Sequence, residues 1–513
     1  MPSSACSSSA LSMPSLPGAE FLSLKANVVS NVTGHVPVGA YLNHGDATLA
    51  GVNYCNITVS YTHPGQGDRL TVLAWLPIDT WNGRLQAIGG DGWQAGLNYA
   101  ASLSMRGAVG EGYATLTTDG GLGTSQSPAD WGLLSPGNVN LYDLQNLAST
   151  SLNDMSIIGK SLVEKFYGRP PRYAYFNGCS QGGRQGLMLA QRYPAAFDGI
   201  AAAAPAINWT KFFMTGLWPS YLMRKADSVP PPCEFNAIRA AAIRACDMND
   251  GVPDGIISGR CDFDPHCVVG RVINCTDFGQ LRRISAQAAD IMEETWRGPT
   301  KIDGSPIWYG LGKDVLVTGS MTDVAIVPIE CQRNGSCTAG NFTLADDWIK
   351  YFVLKDADAD TSALSHQEFD DVAHMSHQQY DSIIGTSDPD LSAFRRLGGK
   401  MITYHGTSDS LIPVDGSIEY YKRVLALDPD ASDFYRLFLS PGLRHCFGGA
   451  GAYPHSTFES LRRWTEDGTV PETLAAASVG SERTIHRNLC AFPRVPVYNG
   501  QGDWTSAEAF HCA

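Results

Sequence analysis

The segment that most constrains the fold runs from residue 173 to residue 192. Tyr173–Asn177 (YAYFN) has the apolar character of a buried strand, GCSQGG follows as a turn, and Arg184–Arg192 has a helical pattern. Residues 178–182 (GCSQG) fit G-x-S-x-G, in which a serine on a sharp strand-to-helix turn needs small neighbours and exposes its hydroxyl at the carboxyl end of a sheet. The pattern predicts a parallel α/β fold, an α/β-hydrolase core, with Ser180 as the nucleophile. The alternative is a glycine-rich turn with an inert serine.

The rest of the chain divides into a core and an insertion. Apolar runs predict further strands and helical patterns lie near 142–167 and 416–427, whereas residues 1–45, rich in Ser, Pro and Gly, are expected to wrap the surface. The segment 207–386 differs, because it holds seven of the 13 cysteines and four of the six N-x-[S/T] sequons. We therefore predict a catalytic domain from residues 1–206 and 387–513, and a lid domain from residues 207–386. The predicted strands are Leu70–Leu76, Arg84–Ile88, Tyr113–Thr118, Lys400–Tyr404 and Tyr435–Leu439.

The partners of Ser180 are sought later in the chain, because this fold places its triad in the order Ser, Asp or Glu, His. His445 follows a predicted strand by a short loop and is the candidate base. Asp409, in HGTSDSLIP, is the candidate acid, and Asp415 is the alternative acid, better placed to begin a helix. His405 precedes the acid and is interpreted as structural. In these roles Ser180 attacks an ester carbonyl, His445 moves the proton, and Asp409 orients the imidazole.

Two backbone amides are expected to stabilise the oxyanion. The first belongs to Gln181, which directly follows the nucleophile at the start of the helix. The second is expected from the glycine-rich stretch GGDGW after Arg84–Ile88, where Gly92 is the candidate.

Cysteines flank both ends of the proposed triad, since Cys179 precedes Ser180 and Cys446 follows His445. If the base reaches the nucleophile, these neighbours lie close enough for a disulfide. Such a bond would close a loop that the chain-entropy model values at roughly 5 kcal/mol. The alternative is a pair of buried free thiols.

A second candidate site is the acidic loop DMNDGVPDGI at 247–256. Its oxygen ligands at short spacing, with glycines for tight turns, suit Ca²⁺, although the loop lacks the terminal Glu of an EF-hand. The alternative is an Asx- and Gly-rich turn without an ion. The candidate ligands are the carboxylates of Asp247, Asp250 and Asp254 and the carbonyls of Val252 and Ile256.

Composition narrows the class of protein. The net charge of −14 argues against a nucleic-acid binder, and we expect no membrane partner because no apolar run is long enough to span a bilayer. The cysteines show no zinc-type spacing, and together with the sequons they favour a secreted protein. No leader is visible before Lys25, so we expect the chain to begin near a mature N-terminus. The candidate glycosylation sites are Asn31, Asn56, Asn208, Asn274, Asn334 and Asn341.

Taken together, GCSQGGRQ, the late His-Cys pair, the CDxxDGVxDGI loop and the HGxxDxxIP turn resemble the tannase/feruloyl esterase family. The resemblance extends from about Cys6 to Cys512. It implies an α/β-hydrolase core with a large lid between nucleophile and acid, a structural Ca²⁺ on the five candidate ligands, and the Cys179–Cys446 bridge. It also implies the pairs Cys6–Cys55, Cys246–Cys261, Cys267–Cys275 and Cys490–Cys512, and leaves Cys233, Cys331 and Cys337, of which the last two could close a small loop.

The substrate that this resemblance implies is an ester of a phenolic acid from the plant cell wall, or of gallate in tannins. We expect a secreted feruloyl esterase that releases ferulate, p-coumarate or caffeate, with a tannase as the alternative and a non-catalytic binding protein as a third, weaker hypothesis. The oligomeric state is expected to be monomer or homodimer. Candidate ring contacts in the lid are Trp348, Tyr351 and Phe352, whose helical spacing also fits a lid core.

Overall fold

A central sheet of nine strands organises the molecule, for which the computed structural model describes residues 5–275, 279–319, 325–332, 335–480 and 483–513. The strands are β1 (Glu20–Val36), β2 (Ala47–Thr62), β3 (Leu70–Pro77), β4 (Arg84–Ile88), β5 (Ala114–Thr118), β6 (Leu133–Ser135), β7 (Asn138–Val139), β8 (Tyr173–Cys179), β9 (Gly199–Ala203), β10 (Val272–Cys275), β11 (Gln280–Arg283), β12 (Ile329–Cys331), β13 (Cys337–Ala339), β14 (Lys400–Gly406), β15 (Tyr435–Ser440), β16 (Thr473–Ala477), β17 (His486–Cys490), β18 (Pro496–Tyr498) and β19 (Phe510–Cys512).

The helices in the described residues surround this sheet and build the insertion. They are α1 (Tyr99–Gly110), α2 (Leu141–Gln145), α3 (Ser151–Tyr167), α4 (Gln181–Arg192), α5 (Trp209–Lys225), α6 (Pro232–Cys246), α7 (Ala286–Arg297), α8 (Thr343–Asp347), α9 (His366–Tyr380), α10 (Ser392–Arg396), α11 (Val414–Leu427) and α12 (Thr457–Asp467). Short 3₁₀ turns lie at Pro128–Asp130, Asp247–Asp250, Pro265–Val268, Thr361–Ala363, Ala431–Asp433 and Ala507–Ala509, and π-helical turns at Asn146–Thr150, Trp348–Leu354 and Asp381–Gly385. Within the described residues, no helix is both long and apolar enough to cross a bilayer.

The sheet has the order β1-β2-β3-β5-β4-β8-β9-β14-β15. The strands from β5 to β15 run parallel, and β1, β2 and β3 add an antiparallel edge. Helices α3, α4 and α11 pack on one face and α1 and α12 on the other, so that apolar residues fill both sides of the parallel strands. This architecture is the predicted α/β-hydrolase core.

The insertion has its own apolar core. Residues 207–386 contribute no strand to the central sheet in the part of the chain that the structure describes. Helices α5, α7 and α9 pack together there around a cluster of aromatic side chains. This arrangement corresponds to the lid expected between nucleophile and acid.

The N-terminal expectation needs correction. Residues 20–36 are not a surface wrap of irregular chain, since they form β1, paired along its length with β2. Most of the residues in β1 are exposed or half-buried, because it is the edge strand of the sheet. With only Leu24 and Val36 buried, the strand lacks the regular apolar alternation by which a sequence pattern reveals a strand.

Candidate active site

Ser180 lies at the junction of β8 and α4, where the predicted nucleophile turn is found. Its backbone has φ 64° and ψ −123°, a conformation that residues other than glycine rarely adopt. The flanking glycines are needed because a Cβ on Gly178 would lie 2.5 Å from the carbonyl carbon of Gly182, and a Cβ on Gly182 would lie 2.8 Å from the oxygen of Gly90. The turn is therefore strained, closely packed and partly exposed at the carboxyl end of the parallel strands.

The candidate acid and the candidate base follow two neighbouring parallel strands, β14 and β15. Asp409 follows β14 and His445 follows β15, and His445 Nδ1 is 2.7 Å from Asp409 Oδ2. Asp409 is fully buried, and although burial opposes it, the charge of His445 and the hydrogen bonds from His405 and His445 hold the pKa of Asp409 well below its usual range. The carboxylate is therefore ionised and can orient and stabilise the imidazolium.

Asp415, the alternative acid, occupies the first turn of α11. Burial raises the pKa of Asp415, and no hydrogen bond joins it to His445 in the described residues. A negative charge is favourable near a helix N-terminus, and this explains the presence of Asp415 at this position.

His405, which the sequence marked as structural, contacts the acid directly. Its Nε2 lies 3.0 Å from the same Asp409 Oδ2 that His445 contacts, and its Nδ1 lies 2.8 Å from Ser417 Oγ. The His405 side chain is completely buried. The only sequence signal for this contact is the spacing of four residues between His405 and Asp409.

A disulfide joins Cys179 to Cys446, as predicted. Ser180 and His445, the neighbours of these cysteines, line the same cavity. The bridge connects positions 267 residues apart and ties the nucleophile turn to the loop of the base.

The two predicted oxyanion donors lie beside the nucleophile. Gln181 begins α4, and its amide is among the first four of a helix, which have no partner within the helix. Gly92, with φ +48°, lines both cavities that contain Ser180. Gln185 of α4 holds the loop of Gly92 in place. Its buried side chain accepts a hydrogen bond from Gly90 N and donates one to Ala95 O.

The predicted ring contacts in the lid are misplaced. Trp348 and Phe352 are fully buried in the lid core, and neither they nor Tyr351 belongs to the described residues that line the Ser180 cavities. The rings of Trp348 and Phe352 instead stack on Trp93, which follows Gly92 directly. The helical spacing of these aromatics reflected the packing of the lid against the Gly92 loop.

Three of the four lid aromatics that line a cavity with Ser180 lie at the start of the insertion. A small cavity contains Ser180 and Gln181 and is otherwise lined by Gly92 and apolar side chains: Ala206, Trp209, Phe212, Phe213, Phe342, Leu344, Leu411 and Ile412. Sequence analysis missed this set. The available signal was the run NWTKFF, close after the end of β9.

The acidic loop adopts a compact turn stabilised by its own carboxylates. Asp247 Oδ1 accepts from Gly255 N, Asp250 Oδ1 from Val252 N, and Asp254 Oδ1 from Ile256 N. No three acidic, histidine or cysteine side chains converge on a metal position within the described ranges. Burial raises the pKa of Asp254 to about 6. The positive charge of Arg487 opposes this rise, whereas the negative charges of Asp250 and Asp247 add to it. Ca²⁺ binding by this loop therefore stays a prediction from the sequence.

The other disulfides agree with the expected pairs in three cases and disagree in one. The bridges Cys6–Cys55, Cys246–Cys261 and Cys490–Cys512 are present, and Cys331–Cys337 closes a small loop. The predicted pair Cys267–Cys275 is wrong, because Cys275 pairs with Cys233. Cys275 is buried at the end of β10 against α6, which carries Cys233, whereas Cys267 is an exposed free thiol.

The candidate glycosylation sites differ in exposure. Asn31 and Asn274 are exposed, and Asn56 and Asn341 are half-buried. Asn208 is completely buried, so the prediction of a glycan there is wrong for the folded chain. Asn334 lies outside the described residues.

Comparisons with known proteins extend over both the core and the lid. A family profile described as tannase and feruloyl esterase matches residues 55–513. The chain is 38% identical to a probable feruloyl esterase from Arthroderma benhamiae, over 98% of this chain and 92% of that protein. It is 29% identical to mono(2-hydroxyethyl) terephthalate hydrolase from Piscinibacter sakaiensis, over 84% and 80% of the two chains. The solved structure of a tannin acyl hydrolase from Aspergillus niger is similar, with a TM-score of 0.87, 27% identity and coverage of 99% and 95%.

Proposed function

Since this chain belongs to the tannase and feruloyl esterase family and is a carboxylic ester hydrolase, we propose that it releases ferulate, p-coumarate and caffeate from esters of the plant cell wall. The observation that carries the proposal is the small apolar cavity beside Ser180. Its described lining includes four aromatic side chains and no acidic or basic one. This cavity has a volume of about 20 Å³, so an aromatic ring would enter it only after these side chains move apart, and would then gain from burial and from edge or face contacts.

The polar atoms of this cavity favour ferulate over gallate. Gln181 Nε2 and Trp209 Nε1 are buried N–H groups without a partner among the described residues, while Gln181 Oε1 already accepts from Arg184 Nε. Both residues line the cavity, so a small shift of either side chain would bring an N–H to the oxygen of a methoxy or single phenol group. The three hydroxyls of a galloyl ring also need acceptors, and unpaired polar groups reduce affinity strongly.

The proposed reaction uses Ser180, His445 and Asp409 in the roles of a serine hydrolase triad. His445 removes the proton of Ser180 as the hydroxyl oxygen attacks the ester carbonyl, and the oxyanion is stabilised by the amides of Gln181 and Gly92. His445 then donates that proton to the departing alcohol, leaving an acyl-Ser180. Water, deprotonated by His445, attacks the acyl carbon, and the proton returns to Ser180 as the phenolic acid leaves. Asp409 holds the imidazole through its Nδ1 throughout.

The test is the hydrolysis of methyl ferulate, methyl p-coumarate and methyl gallate, with Ser180→Ala as the blank. We expect turnover of the two cinnamates at kcat/KM at least about tenfold above that of methyl gallate, in line with a site that lacks acceptors for the extra hydroxyls. Turnover of gallate alone would make the enzyme a tannase. Absence of turnover on all three by folded protein would contradict the proposed substrate class.

Two further properties belong to this proposal. Six disulfides and exposed sequons at Asn31 and Asn274 support an extracellular, glycosylated protein. The carboxylates of Asp247, Asp250 and Asp254, with the carbonyls of Val252 and Ile256, would hold a structural Ca²⁺. An ion there would neutralise the loop's carboxylates and fix its conformation.

A further inference from the structure

A second, larger cavity of about 440 Å³ opens beside Ser180. It shares Gly92, Ser180, Leu344 and Leu411 with the apolar cavity, so that both meet at the nucleophile. His445 lines the larger cavity and is absent from the described lining of the smaller one. The two halves of an ester bound to Ser180 therefore face chemically different surroundings.

The position of His445 determines which of the two cavities holds the alcohol half of the ester. During acylation the alcohol oxygen leaves with the proton that His445 carries, so this oxygen must lie within hydrogen-bond reach of the imidazole. The alcohol consequently occupies the cavity that His445 lines. The acyl ring then lies toward the apolar cavity, whose volume of about 20 Å³ has to grow before the ring can enter, as the proposed function on which this inference rests also requires.

One side of the larger cavity is a polar wall formed by Asp91, Asn98 and Gln126. Gln126 Nε2 donates to Asp91 Oδ1 and to Gln94 Oε1, both at 2.8 Å, and Asn98 Nδ2 donates to Gln94 Oε1 at 2.9 Å. Gln94 is buried and donates in turn to the carbonyl of Thr124. The wall is therefore ordered before any ligand binds, which lowers the entropy cost of recognition.

This network leaves hydrogen-bonding capacity unused at the cavity wall. Asp91 Oδ2 and Gln126 Oε1 take part in none of its bonds, and Asn98 Nδ2 has a second N–H. Oxygens that accept and an N–H that donates match the hydroxyl groups of a polyol, each of which can do both.

The charge of the wall restricts the alcohol further. Asp91 brings a carboxylate, and no Lys or Arg belongs to the described residues that line the cavity. An anionic alcohol would meet this charge without a cation to offset it. We propose that the wall of Asp91, Asn98 and Gln126 binds the alcohol half of the substrate and selects a neutral polyhydroxy alcohol, such as a sugar, over an alcohol that carries a carboxylate.

The experiment compares three esters with one acyl group: methyl ferulate, a feruloylated arabinose and feruloylquinate, whose alcohol is a carboxylate. Methyl ferulate serves as the reference, so the readouts are two ratios of kcat/KM, sugar ester to methyl ester and quinate ester to methyl ester. Asp91→Asn keeps an oxygen for Gln126 and removes the charge. Asp130→Asn, an exposed acid outside the cavity lining, is the matched control.

In Asp91→Asn we expect the sugar ratio to fall and the quinate ratio to rise, each by about fivefold to tenfold, which is the range for one polar contact or one partly screened charge. Gln126→Ala should lower the sugar ratio through KM, and Asp130→Asn should change neither ratio. Unchanged ratios in both wall variants would overturn the assignment while leaving the feruloyl esterase function intact. If the folded protein hydrolyses gallate and not ferulate esters, the proposed function fails, and the same ratios on methyl gallate and galloyl glucose decide the wall separately.

Discussion

Asp409 accepts hydrogen bonds from two histidines and two backbone amides. Oδ1 accepts from Leu411 N at 2.8 Å and Ile412 N at 3.0 Å, and Oδ2 is shared by His445 and His405. Because an ionised carboxylate only accepts, His405 donates from Nε2 to Asp409 Oδ2, while its Nδ1 lies 2.8 Å from the hydroxyl oxygen of Ser417. His405 therefore competes with His445 for the charge on one carboxylate oxygen and holds that oxygen in place.

Replacement of His405 is expected to move the pH profile of the enzyme. In His405→Leu, Asp409 loses one donor and interacts more strongly with the imidazolium of His445, so the acid limb of kcat/KM shifts to higher pH. The rate should fall by about 10- to 100-fold, the usual cost of a lost hydrogen bond to a charged group. His405→Gln places an N–H near the position of Nε2 and should restore both the limb and most of the rate.

The profile distinguishes positioning from simple packing. Asp415 is the other charged group near His405, and it is unchanged in both variants. A folded His405→Leu enzyme with a lower rate but the wild-type acid limb would show that His405 only fills space. Thermal unfolding of both variants serves as the control for folding.

At the level of elements, prediction succeeded where local chemistry dictates the structure. The turn around Ser180 requires small residues at 178 and 182, so its strand and helix were located within a few residues. Asp409 and His445 follow from strand order, because carboxyl ends of parallel strands meet at one edge. The exposed edge strand β1 and the pairing of Cys275 with Cys233 depend on neighbours distant in sequence, and no pattern records them. The small apolar cavity beside Ser180 was missed for the same reason, since Trp209, Phe342 and Leu411 come from separate parts of the chain.

The disulfide between the β8–α4 turn and the loop after β15 is expected to contribute strongly to both stability and activity. Removing it by Cys179→Ala with Cys446→Ala releases a connection of 267 residues, worth about 5 kcal/mol in the chain-entropy model. We expect a large fall in melting temperature and in kcat, since the base loop is then free to move from Ser180. Both are measured by thermal unfolding and by hydrolysis of a methyl ester.

The lid offers a matched control for this experiment. Cys331 and Cys337 join positions only six residues apart, and they belong to neither cavity that contains Ser180 within the described lining. Their double alanine variant should lose about 2 kcal/mol or less of stability and retain kcat. Equal loss of kcat in the two double variants would contradict a specific role for the Cys179–Cys446 bridge.

At the scale of the whole molecule, the acidic loop connects the lid to the core at two points. Asp254 forms an ion pair with Arg487 of β17 at 3.0 Å. The side chain of Ile256 lies so close to Gly442 that a Cβ there would be 2.9 Å from it. Gly442 precedes His445 by three residues, so the conformation of the acidic loop bears on the loop of the base.

If the acidic loop holds Ca²⁺, as proposed, removal of the ion should lower both stability and activity. A ligand that binds only the folded state at 100 times its dissociation constant adds about 2.7 kcal/mol, so chelation should lower the melting temperature by a few degrees. Added Ca²⁺ should restore it, whereas Mg²⁺, which demands a smaller octahedral site, should not. Asp250→Asn should reproduce the chelated state without a chelator, while Asp262→Asn, exposed in the same region and outside the ligand set, should respond to chelation like the wild type. An unchanged melting curve in chelator, with no calcium by elemental analysis of the purified protein, would leave the loop as an ion-free turn, held by its own carboxylates and by Arg487.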